Sequence, residues 1–192
     1  MTGKTMTGKI GKRSGNSIII TGTPGTGKTT ISKKLSLLLK KDPEFKGKTG
    51  KNGIKMIHLS RFVRDEGLID DRDEVDPGKM AKVLSESLNG PLDGSVASGT
   101  PIHIVDGHMS HFLAKKHAKL CIVCRTDLKK LKRRLKKRGY SEEKIRNNLE
   151  SEIFEVCKTE AMEKRHDIFE IDTSDSRKVG KQLREALRMY FS

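Results

Sequence analysis

Short, almost uninterrupted apolar segments recur along this chain and alternate with longer segments that mix apolar and polar residues. In the first of them, three successive isoleucines lie between Ser17 and Thr21. Runs of this length and composition are typical of strands that are buried on both faces of a parallel sheet. The predicted strands are Ser17–Thr21, Ile54–Leu59, Pro101–Asp106, Leu120–Cys124 and Ile168–Asp172.

The segments between these strands place apolar residues three or four positions apart, which indicates amphipathic helices. The longest predicted helix should point its apolar stripe inward: Ile145, Leu149, Ile153 and Val156. The predicted helices begin near Lys28 and then cover Ser60–Gly67, Lys79–Leu88, Asp127–Lys137, Ser141–Lys164 and Lys178–Tyr190.

Alternating strands and helices predict a parallel sheet with right-handed crossover connections. We therefore expect an α/β fold of three layers, α/β/α, around a five-stranded parallel sheet. The acidic residues 69–78 are expected to form an irregular loop. Residues 1–16 combine Gly, Thr, Lys and Arg with little apolar content, so we predict a disordered basic tail before one domain over residues 17–192.

The charge of the chain favours polyanionic partners. It carries 40 Lys and Arg against 25 Asp and Glu, a formal net charge of +15. Nucleotides or RNA fit such an excess, although a basic face that serves only solubility would produce it too. No apolar run approaches the roughly 20 residues of a membrane-spanning helix, and the N-terminus has no apolar secretory core. We expect a cytoplasmic protein without a membrane partner.

The segment GTPGTGKTT, Gly22 to Thr30, has the pattern of a phosphate-binding loop. Residues Gly22–Thr29, hereafter the phosphate loop, match G-x-x-x-x-G-K-[ST] between a predicted strand and a predicted helix. Glycines let successive backbone N–H groups turn inward, and the helix that follows directs its positive end at the same place. Lys28 is expected to bridge the β- and γ-phosphates, and the Thr29 hydroxyl to bind Mg²⁺.

Two polar residues after the third predicted strand are candidates for the same site. Asp106 ends that strand at the edge where open α/β sheets bind ligands, and a carboxylate there typically contacts Mg²⁺ through water. The alternative is an aspartate that caps a helix or a turn. His108 follows two residues later and would either orient the reacting group or cap the next helix.

Arginines supply the remaining candidates for charge stabilisation. Arg125 ends the fourth predicted strand and is a candidate phosphate clamp. Arg134 and Arg138 lie four residues apart, so they share a helix face just before Gly139, which could act as a hinge. Arg134 and Arg138 could instead be ordinary solvated arginines.

The helix that carries Arg134 and Arg138 holds more positive charge than a nucleotide requires. The surplus favours contacts with an RNA backbone, which need no aromatic residues, and only 4% of this chain is aromatic. A solvated lysine-rich face is the alternative. The basic residues of this helix are Lys129, Lys130, Lys132, Arg133, Arg134, Lys136, Lys137 and Arg138.

Four segments together resemble one family. They are GTPGTGKTT, then VDGH (Val105–His108), CRTD (Cys124–Asp127) and RLKKRGYSEEKIRNNLESEIFEV (Arg134–Val156). This combination is similar to the isoenzyme-six adenylate kinase family, the adenylate-kinase-like ribosome assembly factors of archaea and eukaryotes. The similarity covers about residues 17–165 and is weakest over residues 69–100.

The resemblance implies a P-loop NTPase fold of nucleoside monophosphate kinase type with a short lid, at about residues 137–147. The monophosphate-binding insert would cover about residues 58–81. Members transfer phosphate from ATP, with Mg²⁺, to AMP or another nucleoside monophosphate, and they also hydrolyse ATP. They act late in maturation of the small ribosomal subunit, with a platform ribosomal protein (S-eleven in bacterial numbering), pre-rRNA and a 30S-type particle as partners.

The resemblance also assigns residues. Asp106 and His108 fall on a D-x-H motif, with Gly107 where relatives often have an aromatic residue, and Arg138 falls on a lid arginine that reaches ATP. His58 and Arg64 fall in the monophosphate-binding insert. The ATP loop of the family corresponds to Gly25, Gly27, Lys28, Thr29 and Thr30.

Three hypotheses remain open at this point. The chain is a nucleoside monophosphate kinase, an ATP-driven assembly switch with incidental kinase activity, or a small-metabolite kinase on the same fold. The predicted insert with Arg64 favours the first hypothesis, and the basic helix and tail favour the second.

Overall fold

The computed structural model describes residues 15–49, 53–88 and 101–192 of the chain. Five parallel strands form one sheet in the order β2-β3-β1-β4-β5, which confirms the predicted α/β/α fold. The strands are β1 Ser17–Thr21, β2 Ile54–His58, β3 Ile102–Asp106, β4 Ala118–Arg125 and β5 Ile168–Asp172. The α-helices are α1 Lys28–Lys41, α2 Leu59–Asp65, α3 Pro77–Ser87, α4 Leu128–Lys137, α5 Glu142–Ile153, α6 Val156–Glu163 and α7 Ser176–Phe191.

Strand β1 lies at the centre of the sheet, and its side chains alternate between the two helical layers. Ile19 pairs with Val105 of β3 and Cys121 of β4. Ile18 and Ile20 belong to the apolar cluster formed with α1 and α7, and Ile19 belongs to the cluster formed with α2, α3 and α6. The continuous apolar run is therefore explained by burial on both faces of the sheet.

Helices α4 and α5 form an antiparallel pair that packs through its own small apolar cluster. Its buried members are Leu131, Leu135 and Ile145. The turn between the helices contains Gly139 with φ 72°, a backbone conformation that favours glycine. Helix α5 starts at the N-cap Ser141, whose hydroxyl accepts a hydrogen bond of 3.2 Å from the Lys144 amide.

The prediction of one helix over Ser141–Lys164 is wrong. Helix α5 ends at Ile153, and α6 begins at Val156, because Glu155 adopts φ 53° in the left-handed region. The expected inward stripe therefore stops early: the exposed fractions of Ile153 and Val156 are 55% and 37%. Phe154, at the break itself, is 72% exposed.

Helix α3 begins two residues before the predicted start. Its first residue is Pro77, and the Asp76 side chain caps it by accepting a hydrogen bond of 2.5 Å from the Lys79 amide. Proline is suited to this position because its missing N–H would have no partner within the helix. The acidic segment before it contains one isolated antiparallel bridge, between Ile69 and Val75.

Most of the predicted basic tail, residues 1–14, lies outside the described residues. Asn16, at its predicted end, is tied to the domain, because its side chain donates to Pro101 O at 2.7 Å and its carbonyl accepts from Tyr190 Oη at 2.8 Å. Within the described ranges, no helix combines the length and apolar content that crossing a bilayer requires.

Candidate active site

The phosphate loop joins the end of β1 to the start of α1 and turns through left-handed backbone conformations at Gly22, Gly25 and Gly27, with φ of 135°, 96° and 98°. At Gly25 the surroundings also disfavour a side chain, because an added Cβ would lie 2.9 Å from Leu131 Cδ1, which would have to shift. Gly27 is the N-cap of α1 and provides no side-chain cap. The first-turn N–H groups of α1 and its positive end therefore face the loop.

Lys28 folds back over the phosphate loop. Its Nζ donates hydrogen bonds to the carbonyl oxygens of Gly22, at 2.6 Å, and Thr23, at 3.0 Å. Burial lowers the pKa of Lys28 from its ordinary value, and the charge of Arg138 acts in the same direction, while Asp106 opposes the shift. Both partners of this ammonium group are loop carbonyls, which the oxygens of an incoming phosphate can replace.

Asp106, at the end of β3, accepts hydrogen bonds from three side chains. Its Oδ2 accepts from Ser32 Oγ at 2.6 Å and from His58 Nδ1 at 2.7 Å, and its Oδ1 accepts from Thr29 Oγ1 at 3.3 Å. The carboxylate is 5% exposed. Hydroxyl and carboxylate oxygens are the ligands that Mg²⁺ prefers, so Thr29 and Asp106 are chemically suited to the predicted metal.

The two residues predicted to bind a monophosphate differ in the contacts that their side chains make. His58 ends β2 and directs its ring at Asp106, so it joins the centre formed by Thr29 and Ser32. Arg64 lies exposed in the last turn of α2, and its guanidinium group makes no hydrogen bond or ion pair with another described residue. Its guanidinium group is therefore available to a ligand.

His108 lies two residues after Asp106, on the short segment that follows β3. Although its side chain is partly open to solvent, the surrounding protein desolvates the imidazole and lowers its pKa, and the charge of Lys28 adds to the shift. Its backbone carbonyl accepts a hydrogen bond of 3.0 Å from Thr21 Oγ1 at the end of β1. Strand β1 thus helps to place the D-x-H segment.

His111 is a second buried histidine beside the site, and the sequence did not single it out as functional. Its Nδ1 lies 2.7 Å from Thr21 Oγ1, and its Nε2 lies 2.9 Å from Glu160 Oε2. Burial lowers its pKa to about 3, so the ring is neutral at pH 7. The tautomer protonated at Nε2 donates to Glu160 of α6, and its Nδ1 then shares the single Thr21 hydroxyl proton with the His108 carbonyl.

Arg134 and Arg138 occupy one side of the phosphate loop. Arg134 Nη1 donates to Gly25 O at 3.1 Å, and its Nη2 donates to Thr173 O at 3.3 Å. Arg138 is the exposed C-cap of α4, and its guanidinium group makes no hydrogen bond with another described residue. Arg134 therefore supports the loop itself, while Arg138 is available to a ligand.

A cavity of about 500 Å³ opens beside the phosphate loop, between α1, α4 and α7. Lys34 and Arg138 lie at its wall, and Val179 contributes an apolar surface. A cavity of this volume is large enough for a nucleoside. Its remaining lining residues are Gly25, Gly27, Thr30, Ile31, Arg134, Lys137, Thr173 and Ser176.

Arg125 lies at the end of β4 and is held by carboxylates. Its guanidinium group donates to Glu152 Oε1 at 3.1 Å and to Glu155, and it lies 3.7 Å from Glu170. A role as a phosphate clamp would require these contacts to open, so that role stays a prediction.

Several residues that hold the site were missed by sequence reasoning. Ser32 follows Thr29 by three residues, so helical spacing could have placed both hydroxyls on the Asp106 side of α1. Thr173 Oγ1 lies 2.6 Å from Thr26 O and 3.1 Å from Arg125 O, a contact between distant segments that no local pattern indicates. The same holds for the bond from Thr23 to Glu152.

Comparison with known proteins places this arrangement among nucleotide-binding folds. A family model described as AAA domain matches residues 18–155, more than half of the chain. "Putative adenylate kinase" of Methanosarcina barkeri is 36% identical over 157 residues, which cover 81% of this chain and 75% of that protein. The protein of the same name from Methanococcus maripaludis is 37% identical over 161 residues, covering 82% and 80%.

A further relative and one solved structure agree with this placement. "Putative adenylate kinase" of Pyrococcus furiosus is 34% identical over 160 residues, covering 82% of this chain and 74% of that protein. Shikimate kinase from Acinetobacter baumannii, solved in complex with shikimate, superposes with a TM-score of 0.56 at 13% identity, over 93% of this chain and 94% of that one. At this identity, the structural likeness concerns the fold alone.

Proposed function

Because this chain belongs to the AAA domain family, and with it to the group of archaeal proteins named "Putative adenylate kinase", we propose that it is an adenylate-kinase-like nucleoside monophosphate kinase of the isoenzyme-six type. It transfers the γ-phosphoryl group of ATP to AMP and forms two ADP. The observation that carries the proposal is the position of Asp106, 3.3 Å from the Thr29 hydroxyl and beside the uncapped start of α1.

The phosphates of ATP bind where the phosphate loop and the first turn of α1 direct their N–H groups. Gly25, Gly27 and Thr30 form this cradle, and Lys28 exchanges its loop carbonyls for phosphate oxygens. The adenosine part of ATP occupies the cavity of about 500 Å³ between α1, α4 and α7. Arg138, at the wall of the cavity, stabilises the charge that develops as the γ-phosphoryl group leaves.

Thr29 and Asp106 would hold Mg²⁺, Thr29 directly and Asp106 through water. When bound, the ion neutralises phosphate charge and orients the β- and γ-phosphates. Ser32 and His58 hold the Asp106 carboxylate in place through hydrogen bonds of 2.6 and 2.7 Å. His108, beside this centre, orients the attacking group.

The second nucleotide binds over the insert, about residues 58–81, with the exposed Arg64 contacting its phosphate. In the transfer, an oxygen of the monophosphate forms a bond to the γ-phosphorus while the bond between that phosphorus and the β–γ bridging oxygen breaks. Water in place of the monophosphate gives ATP hydrolysis. The lid, about residues 137–147, carries Arg138 at its start and closes over the ATP side.

A coupled assay tests this proposal. Diphosphate and inorganic phosphate production from MgATP is measured with AMP, CMP, UMP or no monophosphate. We expect diphosphate production to depend strongly on AMP and slow release of phosphate without it. A turnover that is indifferent to every monophosphate would contradict the kinase assignment, and phosphate transfer to a small metabolite such as shikimate would favour the alternative of a metabolite kinase.

The second candidate function is an ATP-driven switch in late maturation of the small ribosomal subunit in the cytoplasm. The supporting observation is helix α4, whose exposed face carries Lys129, Lys132, Arg133 and Lys136 beyond what nucleotide binding uses. Such a face suits an RNA backbone. The partners would be pre-rRNA and the platform ribosomal protein S-eleven. ATP turnover that rises with these partners, and not with AMP, would favour the switch.

A further inference from the structure

Glu152 is a buried carboxylate at the end of α5 that none of the roles above uses. Only 3% of it is exposed. Its Oε2 accepts a hydrogen bond of 2.6 Å from Thr23 Oγ1, and its Oε1 accepts bonds of 3.1 Å from Arg125 Nε and from the Thr126 amide. A carboxylate is rarely buried unless its oxygens are satisfied in this way, so its geometry is closely specified.

Thr23 carries this contact into the phosphate loop. Its carbonyl oxygen accepts a bond of 3.0 Å from Lys28 Nζ and one of 2.8 Å from Thr26 Oγ1. One residue therefore connects Glu152, through its hydroxyl, with the Lys28 ammonium group, through its carbonyl. When Lys28 exchanges this carbonyl for a phosphate oxygen, the bond from Thr23 to Glu152 still fixes the loop backbone that leads to Lys28.

The α4–α5 pair touches the phosphate loop at a second point. Arg134 donates to Gly25 O at 3.1 Å, and Leu131 packs directly against Gly25. The predicted lid, about residues 137–147, lies in the chain between this point and Glu152. Any rigid movement of the pair that closes the lid must therefore act on the loop at Gly25 and at Thr23 together.

We propose that Glu152 is a positioning residue that holds Thr23, so that the phosphate loop presents Lys28 correctly to ATP, and that it transmits lid movement to the loop. This inference rests on the proposed binding of MgATP. In this role the effect of the carboxylate passes through the Thr23 hydroxyl.

Matched variants separate this role from a merely structural one. Thr23→Val removes the hydroxyl at constant shape, and Glu152→Gln removes the charge at constant size. Glu155→Gln is the control, because Glu155 also binds Arg125 but makes no hydrogen bond or ion pair with the described residues of the phosphate loop. Thr23→Ser restores the hydroxyl. For each variant, calorimetry measures the Kd of MgATP, and the coupled assay measures kcat and KM. Thermal unfolding gives the midpoint temperature of unfolding.

We expect Thr23→Val and Glu152→Gln each to weaken MgATP binding about tenfold, the scale of a lost hydrogen bond to a charged group. The double variant should bind about as weakly as Thr23→Val alone, since the change at residue 152 acts through the hydroxyl that valine lacks. Glu155→Gln should stay within about twofold of the wild type, and Thr23→Ser should recover most of the loss caused by valine.

The outcomes distinguish the two proposals. A wild-type chain that does not bind MgATP overturns the proposed function and this inference together. If the wild type binds MgATP normally and the variants lower only the thermal unfolding midpoint, with unchanged Kd, the positioning role alone is overturned. Fully additive effects on Kd in the double variant would overturn it as well. If Glu152→Gln does not fold, the comparison of Thr23→Val with Thr23→Ser still tests the proposal.

Hydrogen exchange tests the transmission to the lid. MgATP should slow amide exchange over residues 137–147 in the wild-type chain, and at saturating MgATP this protection should be smaller in Thr23→Val. Equal protection in both proteins would overturn the transmission.

Discussion

His58 and Asp106 meet at 2.7 Å across the ends of two neighbouring strands, β2 and β3. The contact is set by the register of the sheet, in which these two residues are direct partners. Helix α2 starts at the next residue, Leu59, so the carboxylate proposed to hold Mg²⁺ is linked directly to the start of the proposed monophosphate insert.

Replacing His58 tests that link. His58→Ala leaves Asp106 with two hydroxyl donors, so we expect the Mg²⁺ concentration for half-maximal activity to rise several-fold. The asparagine amide of His58→Asn can still donate to the carboxylate, so the Mg²⁺ concentration that this variant needs should lie between those of His58→Ala and the wild type. Initial rates against Mg²⁺ at fixed ATP measure the effect. Equal Mg²⁺ dependence in all three proteins would show that the contact does not orient Asp106.

Lys28→Ala should reduce turnover by about two orders of magnitude or more, because the loop loses its only own cation for the β- and γ-phosphates. MgATP affinity measured by calorimetry should fall as well. Lys33→Ala is the control, since Lys33 lies exposed on the same helix and lines no part of the cavity. Normal turnover by the Lys28 variant would refute the assigned site.

Gly25→Ala should be more destabilising than Gly47→Ala, although both glycines have similar positive φ, 96° and 91°. At Gly47 an added Cβ meets nothing within 4 Å, whereas at Gly25 it would lie 2.9 Å from Leu131. We expect the free energy of unfolding to fall by about 1 kcal/mol in Gly47→Ala, from backbone strain alone, and by roughly 2–4 kcal/mol in Gly25→Ala. The free energy of unfolding in urea measures both, and equal losses would contradict the close packing of α4 on the loop.

The buried His111 should make the fold sensitive to acid. Its pKa is about 3 in the folded chain against 6.5 for an unperturbed histidine, so its contribution to stability is complete above pH 6.5 and is lost as pH falls toward 3. Glu160, whose pKa is raised by burial, opposes this trend. Between pH 7 and pH 5 we expect the wild type to lose about 2 kcal/mol more than His111→Asn in urea unfolding. Parallel losses in both proteins would contradict a neutral, buried His111.

Charge reversal on helix α4 tests the RNA-binding hypothesis. The triple variant Lys129→Glu, Lys132→Glu, Arg133→Glu changes exposed residues that do not line the cavity. We expect weaker RNA binding, a smaller dependence of affinity on salt, and nearly unchanged MgATP affinity. A control variant reverses Lys33, Lys40 and Lys41 on α1, which are also exposed. If both variants lose RNA affinity equally, the cause is the net charge of the chain and not a binding face on α4.

The strands and the phosphate loop could be predicted because their signals are local. Three isoleucines before a glycine-rich segment already define β1 and its connection to α1. The break between α5 and α6 could not be predicted, since the left-handed Glu155 shows no glycine or proline signal and its side chain is held by Arg125 of β4. That contact depends on tertiary structure.

The same distinction applies to the site. Lys28, Thr29 and Asp106 lie in patterns that sequence alone reveals. The ring of His58 on Asp106 depends on β2 lying beside β3, and the bond from Thr23 to Glu152 joins residues 129 positions apart. Sequence spacing does not report strand order or such distant pairs, so the residues that support the loop appear only in the structure.

The central position of β1 has a consequence for the order in which the protein can mature during translation. The phosphate loop leaves the ribosome well before the segments that support it: β3, β4, Glu152 and Thr173. A nascent chain that ends before Thr173 lacks the residue that holds the carbonyl of Thr26. The polypeptide therefore acquires a finished loop only after Thr173 has been added, although β1 and β3 can pair earlier.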